Sequence, residues 1–189
     1  MALVENTAPS IEPVTLEEAA LFMRYTGVLQ NDVIESLITA ARKYVEQWTG
    51  RTLITTTWDY YTNQLCDSIP LPTGNAITIS SITYEDLNDD TQTLTSTLYE
   101  LDNKSVINTV FLVPNQSYPL VLDKPNSVKI TFTAGYGAAA TDVPEALKTA
   151  IKMMVSACYE NRESVVMADL KENVLIKQLL NTEAKYQGW

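Results

Sequence analysis

Histidine is absent from this 189-residue sequence, and cysteine occurs only twice, at Cys66 and Cys158. Without imidazole there is no Ser-His-Asp or Cys-His catalysis, and no zinc, haem or facial-triad iron site that depends on a histidine ligand. Two cysteines are too few for a four-cysteine zinc or iron–sulfur centre, and their wide separation gives no CxxC pair. They read as buried thiols in a reducing compartment rather than as a disulfide. Long apolar runs are missing as well. The best stretch, residues 153–159, falls far short of the roughly 18 residues that a membrane span requires. The opening MALVENTAPS has neither basic residues nor an apolar core, so no secretory signal is expected and the chain is expected to be soluble and intracellular at synthesis. Basic residues are scarce: 13 Lys and Arg face 23 Asp and Glu, for a net charge of −10. A free-standing nucleic-acid-binding module needs a basic face to neutralise phosphates, which this balance argues against.

What remains is the composition of an ordinary globular protein, 46% apolar and 19% charged. The length suits one or two domains and allows roughly 70% of the unfolded surface to be buried without a disulfide or metal staple. The acidic excess is concentrated before residue 136, and the hydrophobic period changes along the chain in step with it.

Thr15-Leu-Glu-Glu18 is a capping box, predicting a short helix with Leu16, Ala19, Ala20 and Met23 on one face and a stop near Gly27. Asn31 or Asp32 should cap a second helix. Its stripe of Val33, Ile34, Leu37, Ile38, Ala41, Tyr44, Val45 and Trp48 is well over 100° wide, Glu35, Arg42, Lys43 and Glu46 take the other face, and Gly50 ends it.

From Arg51 the period becomes two. Strands are expected over 55–63, 76–85, 106–113 and 127–134, with 91–101 pairing back on 76–85 through the turn Asp86-Leu-Asn-Asp-Asp90. The shift of apolar positions between Ile79 and Ile82 points to a bulge near Ser80-Ser81. Helical spacing resumes at Asp142-Val-Pro-Glu145, read as a cap, an early proline and an acidic first turn, and again over 170–180. Residues 165–169, between these last two helical stretches, read as a hinge. The expected architecture is α+β: a small helical bundle made from residues 1–50 and 136–189, with an antiparallel β module, residues 51–135, inserted between them.

No constellation for catalysis, cofactor or metal emerges. Asp86–Asp90 begins like a calcium loop, but Thr91 stands where the EF-hand needs glycine and Thr97 where it needs the bidentate glutamate, so a hairpin turn is preferred. Gly135-Tyr-Gly137 lacks the rest of a phosphate-binding loop and reads as a strand-to-helix turn. Glu160-Asn-Arg162-Glu163 reads as a helix end or an ion pair to a neighbouring helix or subunit. Trp48, Trp58, Tyr60 and Tyr61 gather near the helix-to-strand change, where they serve either as a core seam or as an interface hot spot. The residues therefore describe a binding or assembly module, with Trp48, Trp58, Tyr60, Tyr61, Glu160, Arg162 and Glu163 as interface candidates.

Three blocks carry a family resemblance. The first runs from Ala40 to Leu53, AARKYVEQWTGRTL, followed by Thr57-Trp58. The second is Ile79-Ser-Ser-Ile-Thr-Tyr84 with its return at Thr91-Gln-Thr-Leu94. The third is Ile130-Thr-Phe-Thr-Ala-Gly135-Tyr-Gly137, then Val143-Pro-Glu-Ala-Leu-Lys148 and Tyr159-Glu-Asn-Arg-Glu163. In order and spacing the chain resembles the head–tail connector (adaptor) proteins of tailed bacteriophages and gene-transfer agents.

That resemblance implies a non-enzymatic structural protein of the virion neck, present in the host cytoplasm during assembly. It implies a homo-oligomeric ring, commonly of twelve copies, that docks on the portal protein and extends the DNA channel. It further implies a platform for a stopper or tail-completion protein, with DNA passing through unread and no membrane partner. A second reading is a tail- or virion-associated protein whose β module recognises another tail component.

Overall fold

The computed structural model describes residues 2–27, 29–160 and 174–184. The fold is α+β, and the chain divides into two compact units, each assembled from two stretches of sequence. The β unit comprises Met1–Pro9 and Thr55–Gly135, the helical unit Ser10–Ile54 and Tyr136–Trp189.

The β unit holds two antiparallel sheets. One has the strand order β1-β2-β8-β4-β5, formed by β1 (Ala2–Thr7), β2 (Thr56–Thr62), β8 (Val128–Ala134), β4 (Ala76–Glu85) and β5 (Thr91–Thr93). The other has the order β3-β7-β6, from β3 (Ser68–Pro70), β7 (Thr109–Leu112) and β6 (Tyr99–Asp102).

β8 is the centre of the larger sheet and alternates regularly between buried and half-buried positions. Val128, Ile130, Phe132 and Ala134 all point into the core, as period-two geometry requires. They pack with Tyr60, Ile69, Leu71, Ile82, Leu94 and Val110. The register of β4 against β8 slips between Ile79 and Ser81, the bulge signalled by the change in apolar phase. It slips a second time between Ala76 and Thr78. Asn108, fully buried, accepts from the Ala76 amide (2.7 Å) while its own carbonyl accepts from Leu71 (2.8 Å), tying β7 to the larger sheet.

Two expectations change here. Residues 2–7, placed with the helical part by the sequence, form an edge strand on β2, with Leu3 opposite Tyr60 and Glu5 opposite Trp58. The return after the hairpin pairs for three residues only, Thr91–Thr93, before a 3-10 turn carries Tyr99–Asp102 into the second sheet.

In the helical unit α1 (Leu16–Met23) starts with the capping box complete. The Glu18 amide donates to Thr15 Oγ1 (3.1 Å) and the Thr15 amide donates to Glu18 Oε2 (3.0 Å). The helix ends at Arg24 rather than Gly27, because Arg24 itself adopts the left-handed conformation (φ 56°) and its amide closes on the carbonyls of Ala20 and Leu21.

α2 (Asn31–Thr49) has Gln30, not Asn31 or Asp32, at its N-cap, and Gly50 (φ 66°) at its end. α3 (Glu145–Glu160) and α4 (Val174–Asn181) are the other α-helices among the described residues of the unit. The core joins Ile34, Ile38, Ala41 and Val45 of α2 to Leu147, Ala150, Ile151 and Met154 of α3 and to Ile176 and Leu180 of α4. Leu53 and Ile54 are buried in this same core, so residues 51–54 belong to the helical unit rather than to the β module. The hinge segment 165–169 and residues 170–173 of the last helical stretch lie outside the described residues.

Candidate interaction surfaces

Arg42 is the largest departure from the amphipathic reading. It is 4% exposed. Its Nε donates to Glu12 Oε2 and its Nη1 to Glu46 Oε2, both at 2.8 Å. The carboxylates are themselves engaged: Thr39 Oγ1 donates to Glu12 (2.9 Å), and the Leu53 amide donates to the second oxygen of Glu46 (2.9 Å). The network thus ties the segment before α1, the body of α2 and the chain leaving α2. The i,i+4 spacing of Arg42 and Glu46 was the one local signal of it, because such spacing brings two helical side chains together.

A second network anchors the residues after α4. Arg51 Nε donates to the Glu183 carbonyl (2.7 Å) and the Tyr136 hydroxyl donates to Glu183 Oε2 (2.9 Å). Burial, followed by the bond to Glu183, holds the Tyr136 phenol far above its ordinary range. In the β unit, Asp59 is 8% exposed and accepts from Asn6 Nδ2 (2.8 Å) and Thr131 Oγ1 (2.6 Å), joining the three strands β1, β2 and β8.

The interface candidates fall into different settings. Trp48, 37% exposed, stacks on Tyr44 (centroids 6.1 Å, 26° between planes), and its indole donates to Asn181 Oδ1 (3.3 Å). Trp58 and Tyr60 share one face of β2 and pack on the β core; Tyr61 takes the opposite face and lines a shallow cleft with Thr91 and Lys129. Glu160 is exposed at the last turn of α3 and accepts from Ser156 Oγ (3.4 Å). Arg162 and Glu163 lie outside the described residues.

The loops considered for chemistry have structural occupations. Asp86 Oδ1 accepts the amides of Asn88 (2.9 Å) and Asp90 (3.1 Å), which lowers its carboxyl pKa and closes the hairpin turn. Gly135 adopts a positive φ of 151°, and a Cβ on Gly137 would lie 2.0 Å from the Asp142 carboxylate, so both glycines answer to backbone geometry. Asp142 does not cap α3; its carboxylate accepts from the Ala139 amide (3.0 Å) and closes the preceding turn. Among the described residues no group of three or more Cys, Asp or Glu side chains could hold a metal ion, and no helix is long and apolar enough to cross a membrane. Cys66 and Cys158 are free and half-buried, and burial raises the Cys158 thiol pKa.

Large apolar side chains remain outside on the helical unit. Leu29 is 96% and Leu21 81% exposed, with Phe22 and Val33 close to half. Sequence patterning missed them because Val33 fitted the apolar stripe and Leu21, Phe22 and Leu29 fell outside any predicted face. Where exposed apolar groups lie together, as these do in sequence around the turn from α1 to α2, they are candidates for an interaction surface.

Comparison with known proteins agrees with an assembly role. The family model described as "head completion protein" matches residues 13–167. No curated protein matches the sequence. Solved structures that share the fold include three chains from gene-transfer-agent particles. A chain from the neck of an empty gene-transfer-agent particle, computed with C6 symmetry, superposes with a TM-score of 0.79 at 19% identity, covering 100% of this chain and 98% of that one. A chain from the virion of a native gene-transfer-agent particle gives 0.79 at 20% identity, with the same coverage. A chain from the neck of the native particle, computed with C12 symmetry, gives 0.68 at 20% identity, covering 95% of this chain and 94% of that one.

Proposed function

This chain belongs to the head completion protein family, and on that premise we propose that it is a structural head–tail connector of a tailed phage or gene-transfer agent. The observation that carries the reading is the family match over residues 13–167, joined to a fold shared along the whole chain with neck and virion proteins. In this reading copies assemble into a ring, of about twelve by analogy with the C12 neck. The ring docks on the portal protein, extends the DNA channel and receives a stopper or tail-completion protein on its far side. Its place is the virion neck.

Three features support it. The sequence has no histidine, which leaves imidazole-dependent chemistry out of the reading. Its net charge of −10 suits a conduit, since acidic side chains facing the lumen repel phosphate and keep DNA from sticking. Its exposed apolar groups supply surface for contacts between copies. Trp48 and Glu160, exposed on the helical unit, together with Arg162 and Glu163, are the candidate contact residues from the sequence.

Native mass spectrometry and electron microscopy of the chain, alone and mixed with its portal, test the reading. A ring of one defined size on the portal is expected. A chain that stays monomeric and ignores the portal would overturn it, and a ring with a basic lumen would overturn the account of the charge.

A further inference from the structure

Among the described residues, the helical unit exposes apolar side chains in several places, Val174 and Leu175 of α4 included, and two features at α1 and α2 stand out. One is a ridge at the α1–α2 corner. α1 stops at Arg24, and the chain folds back with the Gln30 amide donating to the Tyr25 hydroxyl (3.2 Å). This leaves Leu21, Phe22, Leu29 and Val33 exposed around the corner. The other is an open groove of about 500 Å³ beside the start of α1. Its floor is the buried pair Val14 and Ile38, and its walls include Ile11, Leu16 and Thr39. The groove is large enough to admit a bulky apolar side chain.

Ridge and groove face different ways. Val33 of the ridge and Glu35 of the groove wall lie on the same helix, two residues apart, which at 3.6 residues per turn is about 200° of rotation. Because the two features face different ways, a single two-fold patch does not hold both of them. The arrangement suits a head-to-tail contact that repeats.

The charges agree. Exposed Arg24 sits at the ridge, while the groove carries Glu35 on its wall. Glu12, also on the groove, is committed to Arg42, and Asp32 at the ridge lies in the first turn of α2, where a helix N-terminus favours a carboxylate.

We propose that the Leu21–Phe22–Leu29–Val33 ridge of one copy seats in the Ile11–Val14–Leu16–Ile38 groove of the next, with Arg24 of one copy against Glu35 of the other. The occupant of the groove is therefore a second copy of this chain, and the contact has a direction. The inference deepens the connector reading and rests on it for the existence of self-assembly, but it names surfaces that reading leaves open.

Two experiments decide it, both on the full chain, free and on the portal. With the photo-cross-linker p-benzoylphenylalanine in place of Leu29, and a mixture of isotopically light and heavy copies, cross-links should join different copies and map to Ile11, Leu16 or Thr39. No cross-link between copies, or cross-links to other parts of the chain or to the portal, overturns the proposal. If rings nonetheless form on the portal, the connector reading survives that failure. Absence of both rings and portal binding removes the connector reading itself.

Charge reversal gives the second test. Arg24→Glu or Glu35→Arg alone should weaken self-association by up to about fivefold per contact, the scale of an exposed ion pair, and the double reversal should restore it. The two residues lie on different faces of one copy, so recovery comes only through contact between copies. A double variant no better than the singles combined overturns the pairing.

Discussion

The two units bury charge in opposite ways. In the helical unit a buried cation, Arg42, is held by two carboxylates, Glu12 and Glu46. In the β unit a buried carboxylate, Asp59, is held by two neutral donors, the Asn6 amide and the Thr131 hydroxyl. Both networks do the same structural task. Each joins segments distant in sequence: Glu12 meets Arg42 within Ser10–Ile54, while Asp59 meets Thr131 within Thr55–Gly135 and Asn6 across the two stretches of the β unit. The difference lies in what is left behind when one partner goes. Removing the cation takes the opposing charge from two carboxylates, each of which keeps a neutral donor, Thr39 or the Leu53 amide, whereas removing a neutral donor from Asp59 costs one hydrogen bond and no charge.

That asymmetry should be visible in stability. The largest loss is expected for Arg42→Ala, about 3 kcal/mol, at the lower end for broken buried pairs because Glu12 retains 30% exposure. Urea denaturation would measure it. Hydrogen exchange should lose protection chiefly in α2 and in the segment before α1. Arg42→Met, which restores apolar volume but not the charge that Glu12 and Glu46 face, should be nearly as costly.

A smaller loss, about 1–2 kcal/mol, is expected for Thr131→Val, where Asp59 keeps the Asn6 bond. Protection should fall in β2 and β8. If Thr131→Val proves as costly as Arg42→Ala, the two sites are not different in kind and the comparison fails.

The smallest effect is a pH dependence. The Tyr136 phenol is raised above its ordinary value by burial and by its bond to Glu183. The fold favours the protonated phenol, so its stabilising contribution is complete below pH 10, the unfolded value, and is lost progressively as pH rises above it. Tyr136→Phe should therefore flatten the alkaline limb of the stability–pH curve. An unchanged limb would sink the assignment.

How far the sequence could be read depended on whether the signal was local. The Thr15–Glu18 capping box was legible because donor and acceptor lie three residues apart. The β4 bulge was legible because a change of phase in a two-residue period has one simple geometric cause. Arg42 was misplaced because the amphipathic rule sends charges to solvent, and only the arrival of Glu12 from a distant segment reverses that. β1 left no trace because an edge strand exposed on both faces has no alternation to show; its partner is the open edge of β2. Of the interface candidates, Trp48 and Glu160 lie at the surface, while Tyr60 is buried. Composition marks an aromatic residue as useful for contacts without saying whether its contacts are inside or outside.

By itself, then, the sequence determined the class of molecule and the location of its helices and longer inner strands. Periods of 3.6 and 2 and local caps are properties of neighbouring residues, and the absence of histidine removed much chemistry before any folding was considered. Only the tertiary structure decided which strand lies beside which, which charges are buried, and which leucines are left without cover. Those outcomes depend on segments that meet across the chain, where a residue's environment is supplied by partners tens of positions away.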